Sequence, residues 1–357
     1  MRPISVPKFV NDDELLKDRQ SSVGGGTRGL GFKMLGHCFE EIISIENLLK
    51  SWREFLKGKR NREDVQIFAL NLMDNIFELH KELVNHTYNH GPYQAFRIDD
   101  PKPRQIHKSL VRDRLLHHAV CRILYPFFDS KFIFDSYSCR LGKGTYRAIN
   151  RFRDFAYKVS RNHHRTCWVL KCDVRKFFEN INHSILLSVL RRRISDCRTI
   201  WLLENIIRSF SKTPGRGLPL GNFTSQLFVN IYMNKFDQVV KHCFKMKYYI
   251  RYADDFVILS DGKTVLEELL PKLGDFLNEW LALELHPDKV FIQTFASGVD
   301  FLGWVNLSNH RVLRTTTKRR MFRRLAERKG NETTLRSYQG LLSHGNTKKL
   351  QKLIADN

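Results

Sequence analysis

What this chain has little of narrows its chemistry before any motif is read. Acidic side chains are scarce: 37 Asp and Glu stand against 60 Lys and Arg, a formal net charge of +23. The excess spans most of the chain rather than one tail, which favours a long polyanion over a small acidic substrate. A ribosomal-type binder or a membrane-surface protein shows the same balance, so charge alone reads no further. The seven cysteines (Cys38, Cys121, Cys139, Cys167, Cys172, Cys197 and Cys243) form no C-x-x-C pair and no Cys/His zinc spacing. Their odd number and scatter fit reduced, mostly buried thiols in a cytosolic protein. No stretch approaches the roughly 18 apolar residues of a membrane span, the N-terminus has no signal-peptide core, and there are no internal repeats. GKGT at 142–145 lacks the full spacing of a nucleotide P-loop. These absences describe a soluble cytoplasmic chain. Its 357 residues, 42% hydrophobic, suffice for one globular body with sub-domains.

What is present is organised around YIRYADDFVILS, residues 249–260. Apolar and aromatic residues on both sides predict two short strands, with Asp254 and Asp255 where the chain turns between them. Two carboxylates between buried strands repel and are poorly solvated unless a cation neutralises them, and magnesium is the hard cation that prefers such oxygens. The bland alternative is a solvated Asp-Asp turn. A second acidic element is WVLKCDVRKFFENI, 168–181, where a buried strand delivers Asp173 at its end before a helix begins. On neighbouring strands, Asp173, Asp254 and Asp255 would converge, enough to hold two metals roughly 3.5–4 Å apart for in-line phosphoryl displacement.

The remaining chain supplies packing elements and basic surfaces. Residues 1 to about 36 are charged and then glycine-rich, as in a flexible leader. A helix starts near Ser44, with Ser44 and Asn47 in cap positions, and a second carries Val65, Phe68, Leu72, Ile76 and Leu79 on one face. YQAFRI, DDPKP and RQIHKS predict a hairpin over 93–109. Its Lys102, Arg104 and Lys108 either protect an exposed edge or clamp a triphosphate. From Arg112 to about Phe128 runs a helix whose His117 and His118 point too far apart to share a metal. Thr145 caps a helix bearing Arg147, Arg151 and Arg153, which with Arg140 and Lys143 and beside Tyr146 and Phe152 suit a nucleic-acid backbone. The run GRGLPLGNFTSQ feeds a helix capped by Asn222 or Thr224, and its glycines allow a flat backbone to approach a base pair. An amphipathic helix spans 264–281, and Lys289 sits beside a short strand. Residues 314–329 form a helix so basic that a duplex contact would relieve its self-repulsion.

Taken in order, RQIHKS with RDR, Asp173 with FF, GLPLGNFTSQ, YADD, Lys289 and FLGW resemble a reverse transcriptase over roughly residues 44–357. Many such enzymes carry Gln at the position of Leu220 and Pro at that of Gln226. Here the run L-G-N-F-T-S-Q, together with SIENLLKSWREFLKGKR and DSYSCRLGKGT, resembles the reverse transcriptases of diversity-generating retroelements. These are related to group II intron and retron enzymes.

The resemblance implies an α+β right-hand polymerase, with fingers, a palm built on an antiparallel sheet, a helical thumb and no RNase H domain. The expected division is a flexible leader at 1–43, an N-terminal extension and fingers at 44–165, a palm at 166–304 with a fingers-derived loop before Gly215, and a thumb at 305–357. It further implies that Asp173, Asp254 and Asp255, assisted by the Val174 carbonyl, bind two Mg2+ ions, with Mn2+ as a substitute. Arg104 and Lys102 would hold the triphosphate, Phe178 would be the steric gate against ribonucleotides, and Leu220, Gly221 and Gln226 would lie near the nascent pair. Lys289 would contact the triphosphate or protonate the leaving group, and Phe301 to Trp304 would grip the primer. Expected partners are template RNA, the RNA/cDNA duplex, dNTPs and a small, basic, helical accessory oligomer, in a bacterial or phage-encoded cytoplasmic setting without a membrane. The function so implied is RNA-directed synthesis of adenine-mutagenised cDNA for mutagenic retrohoming. The alternatives are an antiphage or retron/group II-like reverse transcriptase, or a catalytically silent RNA-binding scaffold.

Overall fold

The alternation of apolar residues in WVLKCD and YIRY, with the apolar run FVIL, builds the sheet at the centre of the fold. The computed structural model describes residues 34–99, 103–327 and 331–355. Of the stretches named above, Lys102, the last two residues of the basic run 314–329 and the leader up to residue 33 lie outside the described residues. The chain divides into two compact units, one comprising 1–134, 176–245 and 275–284, the other 135–175, 246–274 and 285–357.

The first unit is mainly helical. Helix Val111–Asp129 packs against Ile45–Phe55 and Phe223–Gln238. Ser44 caps Ile45–Phe55 as expected, its hydroxyl accepting from the Asn47 amide at 3.2 Å. The Asn47 side chain is instead buried, donating to the carbonyls of Ile42 and Ala119. A helix at Cys38–Ile43 precedes the expected start near Ser44, with Cys38, Phe39, Ile42 and Ile43 all buried. The predicted second helix is two, Glu63–Leu70 and Leu72–Val84, separated at Asn71 (φ −115°). The hairpin forms from β1 (Gln94–Ile98) and β2 (Arg104–Lys108), with Ile98 opposite Arg104. His117 is fully buried beside His90, and His118 stacks on Phe223 at 4.5 Å, so both histidines serve the interior.

The second unit carries β3 (Trp168–Asp173), β4 (Tyr249–Tyr252), β5 (Asp255–Ser260) and β6 (Phe291–Thr294) as one antiparallel sheet in the order β4-β5-β3-β6. Helix Thr145–Val159 buries Ala148, Phe152, Phe155 and Ala156 in a core shared with Val169, Ile250, Val257 and Leu259. Phe152 is therefore core rather than a nucleic-acid contact. Gly144, not Thr145, occupies the cap, and the Thr145 hydroxyl donates to Tyr252 Oη at 3.2 Å.

A three-stranded sheet of β7 (Val299–Phe301), β8 (Trp304–Asn306) and β9 (Arg311–Leu313) follows. Its first turn is Leu302-Gly303 at φ +53° and +86°, the left-handed pair that tight hairpins use. Phe301 and Trp304 are buried, so a primer could meet only the turn between them. Helices Thr315–Glu327, Glu332–Leu342 and Lys348–Ala355 close a second core, in which Trp304, Leu313, Met321, Leu342 and Ile354 join Ile149. Among the described residues, no helix is long and apolar enough to cross a membrane.

Gly345 shows how tightly that second core is closed, since a Cβ there would land on the Trp304 ring, which is 1% exposed and has nowhere to move. Gly345→Ala is expected to cost about 1–3 kcal/mol by overpacking, read as a lowered urea midpoint with unchanged slope.

Candidate active site

Strand pairing alone brings the acidic residues together. In the register of β3 against β5, Asp173 stands directly opposite Asp255. β4 and β5 are joined by the two residues Ala253 and Asp254, with Tyr252 paired to Asp255. The expected turn is therefore one residue earlier than Asp254-Asp255: Asp254 occupies it and Asp255 opens the strand. Ala253 adopts φ +55°, and the Val174 amide donates to the Asp254 carbonyl at 3.1 Å, tying the turn to the end of β3. Asp173, Val174, Asp254 and Asp255 thus form one cluster within the second unit.

Its electrostatics are those of crowded like charge. Burial, followed by the Asp173 and Asp255 charges, pushes the Asp254 carboxyl up to about 6. Burial also raises Asp255, partly offset by the Lys171 ammonium. Two lysines supply neutralising charge. Lys289, ending a short 3-10 turn at Pro287–Lys289, reaches Asp173 Oδ1 with its Nζ at 2.9 Å. Lys171 Nζ lies 3.4 Å from Asp255 Oδ1, close enough for an ion pair yet leaving that buried oxygen without a hydrogen bond.

Lys171 was not anticipated. Its signal was available, because a residue two before Asp173 on a strand shares its face. Arg251 was missed as well. It is fully buried, with Nη1 donating to the Ala253 carbonyl at 3.1 Å and Nη2 to Ser136 Oγ at 3.1 Å, so it braces the turn from beneath. A charged residue inside the apolar YIRY strand was its signal.

These residues fit divalent cations. Three clustered carboxylates, two of them sharing their charge with lysines and one held protonated more readily than usual, form a donor set for hard ions. Among the described residues no three acidic, His or Cys side chains close into a ready-made cage.

The other expected site residues lie in the first unit. Arg104 opens β2 and is exposed, and Phe178 is half-buried in the short helix Phe177–Asn180. The GLPLG loop is stitched down: Leu218 N donates to the Phe178 carbonyl at 2.8 Å, Gly217 N to Ile181 at 2.9 Å, and His107 N to Leu220 at 3.1 Å. Its glycines are explained by protein neighbours. Gly221 (φ +104°) would place a Cβ 2.8 Å from Ile106 Cγ2, and Gly217 (φ +109°) one 2.9 Å from the Lys212 amide. Asn222 makes no capping bond. Its Oδ1 accepts from Ser109 Oγ at 2.9 Å and its Nδ2 donates to the His107 carbonyl at 3.2 Å, clasping the loop to the hairpin. Gln226 is half-buried one turn into the following helix, its carbonyl accepting from Asn230. Lys108 is held by Asp64 at 2.7 Å.

Comparison with known proteins decides the family. Residues 98–305 match the model of the reverse transcriptase (RNA-dependent DNA polymerase) family. This chain belongs to the reverse transcriptase family. The match contains all three aspartates, and the enzyme class is RNA-dependent DNA polymerase. The chain is similar to protein YkfC of Escherichia coli, 27% identical over 282 residues that cover 67% of this chain and 71% of that protein. It is also similar to the group II intron-encoded protein LtrA of Lactococcus lactis, 22% identical over 65% of this chain and 49% of LtrA. Apo telomerase from Candida tropicalis shares the fold with a TM-score of 0.50 at 11% identity, covering 63% of this chain and 49% of telomerase. The fold is the expected mixed α/β polymerase type, and the chain spans about half the length of LtrA and of that telomerase.

The raised Asp254 carboxyl gives a pH signature in the cation-free enzyme. Its folded value, about 6, lies above the ordinary 3.8, so the folded protein holds the extra proton between those values. Stability therefore falls as pH rises from roughly 4 to 6. In EDTA, the unfolding midpoint should decline across that window. Asp254→Asn should flatten the decline and stabilise the cation-free protein by about 1–3 kcal/mol at pH 7.

Proposed function

We propose that this reverse transcriptase copies a template RNA into cDNA for a diversity-generating retroelement, and that Asp173, Asp254 and Asp255 are its catalytic centre. The observation that carries the reading is the strand register that sets Asp173 against Asp255 with Asp254 in the adjoining turn. These three side chains, with the Val174 carbonyl, would hold two Mg2+ ions. Bound there, magnesium supplies the positive charge that activates a primer 3′-hydroxyl and stabilises a departing pyrophosphate.

The chain's own groups do the rest. Lys171 and Lys289 neutralise Asp255 and Asp173 before substrate arrives. Lys289, now paired with Asp173, would exchange that carboxylate for a triphosphate oxygen. Arg251 fixes the carbonyl of Ala253 and so the direction in which Asp254 points. Arg104, with Lys102, would grip the triphosphate through its guanidinium fork. Phe178 would exclude a 2′-hydroxyl, and Gly221 and Gln226 would border the nascent pair. The domain reading assigns an N-terminal extension and fingers to 44–165, palm to 166–304 and thumb to 305–357. Template RNA, dNTPs, the RNA/cDNA duplex and a small basic accessory oligomer are the partners this function requires.

The retroelement assignment rests on the form of the 218–226 run and on Leu220 in particular. An amide side chain there would hydrogen-bond near the new base pair. Leucine removes that geometric check, so wrong pairs are penalised less and adenine positions accumulate errors.

Two experiments test this. Primer extension on an RNA template with Mg2+ should fall by at least ~10²-fold in Asp254→Ala, and retained activity would remove that residue from the centre. Sequencing cDNA from Leu220→Gln should show fewer errors opposite adenine. An unchanged adenine spectrum would refute the role given to Leu220.

A further inference from the structure

A cavity of about 350 Å³ opens beside helix Thr145–Val159, away from the aspartates, lined by Arg153, Asp154, Tyr157, Lys158, His163 and Ser308. The loop that supplies His163 leads into β3 at Trp168. Asp173 is at the strand's other end, roughly 17 Å away at about 3.3 Å per residue.

That loop is unusual in its backbone. Arg161, Asn162 and His163 adopt φ of 49°, 61° and 65°, three consecutive left-handed residues without a glycine. Each costs about 1 kcal/mol or more, with Asn and His the best tolerated. The run is fixed by Asn162 N donating to the Tyr157 carbonyl (2.9 Å), Arg165 N to the Ser160 carbonyl (2.8 Å) and His163 N to Ser160 Oγ (3.0 Å). Its effect is to turn residues 161–166 outward, all exposed.

The charges here differ from their neighbours. Arg151 is bound by Asp135 at 2.9 Å, Arg147 donates to the Gly142 carbonyl, and Arg140 donates to the Ser136 carbonyl at 3.0 Å. Among the described residues, Arg153, Lys158, Arg161 and Arg165 have no ion-pair partner. One lysine in a last helical turn is ordinary compensation of the helix dipole. Two unpaired cations lining the cavity, with two more on the loop that supplies His163, exceed what that needs. Tyr157, 48% exposed, presents its ring beside them with His163 edge-on at 5.6 Å.

We propose that this cavity is a second nucleic-acid site, taking a nucleotide of single-stranded RNA remote from the polymerising centre. Lys158 and Arg153 meet its phosphate, while Arg161 and Arg165 follow the flanking backbone. The Tyr157 ring stacks on the base. The Asp154 carboxylate, the one acid lining the cavity, accepts from the ribose 2′-hydroxyl, which separates RNA from DNA. The choice of RNA rests on the RNA-templated function proposed above, and the two readings can fail separately.

The test uses the full chain with its polymerase centre filled by excess unlabelled RNA/DNA primer–template. Binding of a fluorescein-labelled oligouridylate is followed by anisotropy across a salt series. The saturated wild type should still bind the probe. Tyr157→Ala/Lys158→Ala/Arg165→Ala should weaken binding at least ~10-fold and flatten the logarithmic salt slope by about 1.4, two cations at 0.7 each, with primer extension on the short hybrid retained. Asp154→Asn should narrow the preference for oligouridylate over oligothymidylate. Unchanged affinity and slope in the triple variant, or complete displacement of the probe from wild type by the hybrid, would overturn the site. Equal RNA and DNA binding by the wild type would overturn the RNA assignment. Failure of the wild type to extend the hybrid would count against the polymerase reading and leave the anisotropy result standing. If the triple variant proves unstable, Lys158→Glu at its exposed position should still weaken binding and flatten the slope by about 0.7, and an unchanged slope there would overturn the site.

Discussion

The pairing of β3 with β5 is the constraint on which the rest depends. An antiparallel register that buries Val169, Leu170, Ile258 and Leu259 also forces Asp173 to face Asp255. A one-residue slip would turn every side chain to the other face, so hydrophobic burial holds the carboxylates together against their repulsion. Lys171, Lys289 and the brace from Arg251 meet the cost of that proximity only in part, and the raised affinity of Asp254 for a proton records the remainder. The cluster is destabilised by its own concentrated charge, a trade frequent at functional sites.

Much of this was readable in the chain. Alternating apolar residues give strands, and a pair of aspartates between two such strands has few explanations that do not involve cations. The serine cap at 44, the hairpin at 94–108 and the Val111–Asp129 helix likewise follow from local chemistry. What local reasoning could not reach were roles set by distant partners. Asn222 looks like a cap, yet it spends its amide on Ser109 and His107, more than a hundred residues earlier. The resemblance gives 301–304 a grip on the primer, and the burial of Phe301 and Trp304 leaves only the Leu302-Gly303 turn to make it, which no motif states. The glycines at 217 and 221 suggested room for a base pair, and the fold adds a reason the sequence did not show, a close protein neighbour at each.

Basic residues illustrate the same limit. From sequence, the arginines of 140–153 form one undifferentiated nucleic-acid surface. In the fold, Arg140, Arg147 and Arg151 are tied to carbonyls or a carboxylate, while the unpaired cations gather at the far end of the helix. Composition reports how much positive charge a chain has. Only its bookkeeping in three dimensions separates charge that holds the protein from charge left for a ligand.

The centre is assembled from segments far apart along the chain: Asp173 waits on β3 while the hairpin bearing Asp254 is some eighty residues downstream. Such non-local pairing forms late, after loop closure has been compensated by the surrounding core. A growing or truncated chain that ends before β4 holds one of the three acids and no cluster at all. The three carboxylates can meet only once the chain has been made through β5, nearly a hundred residues before its last residue.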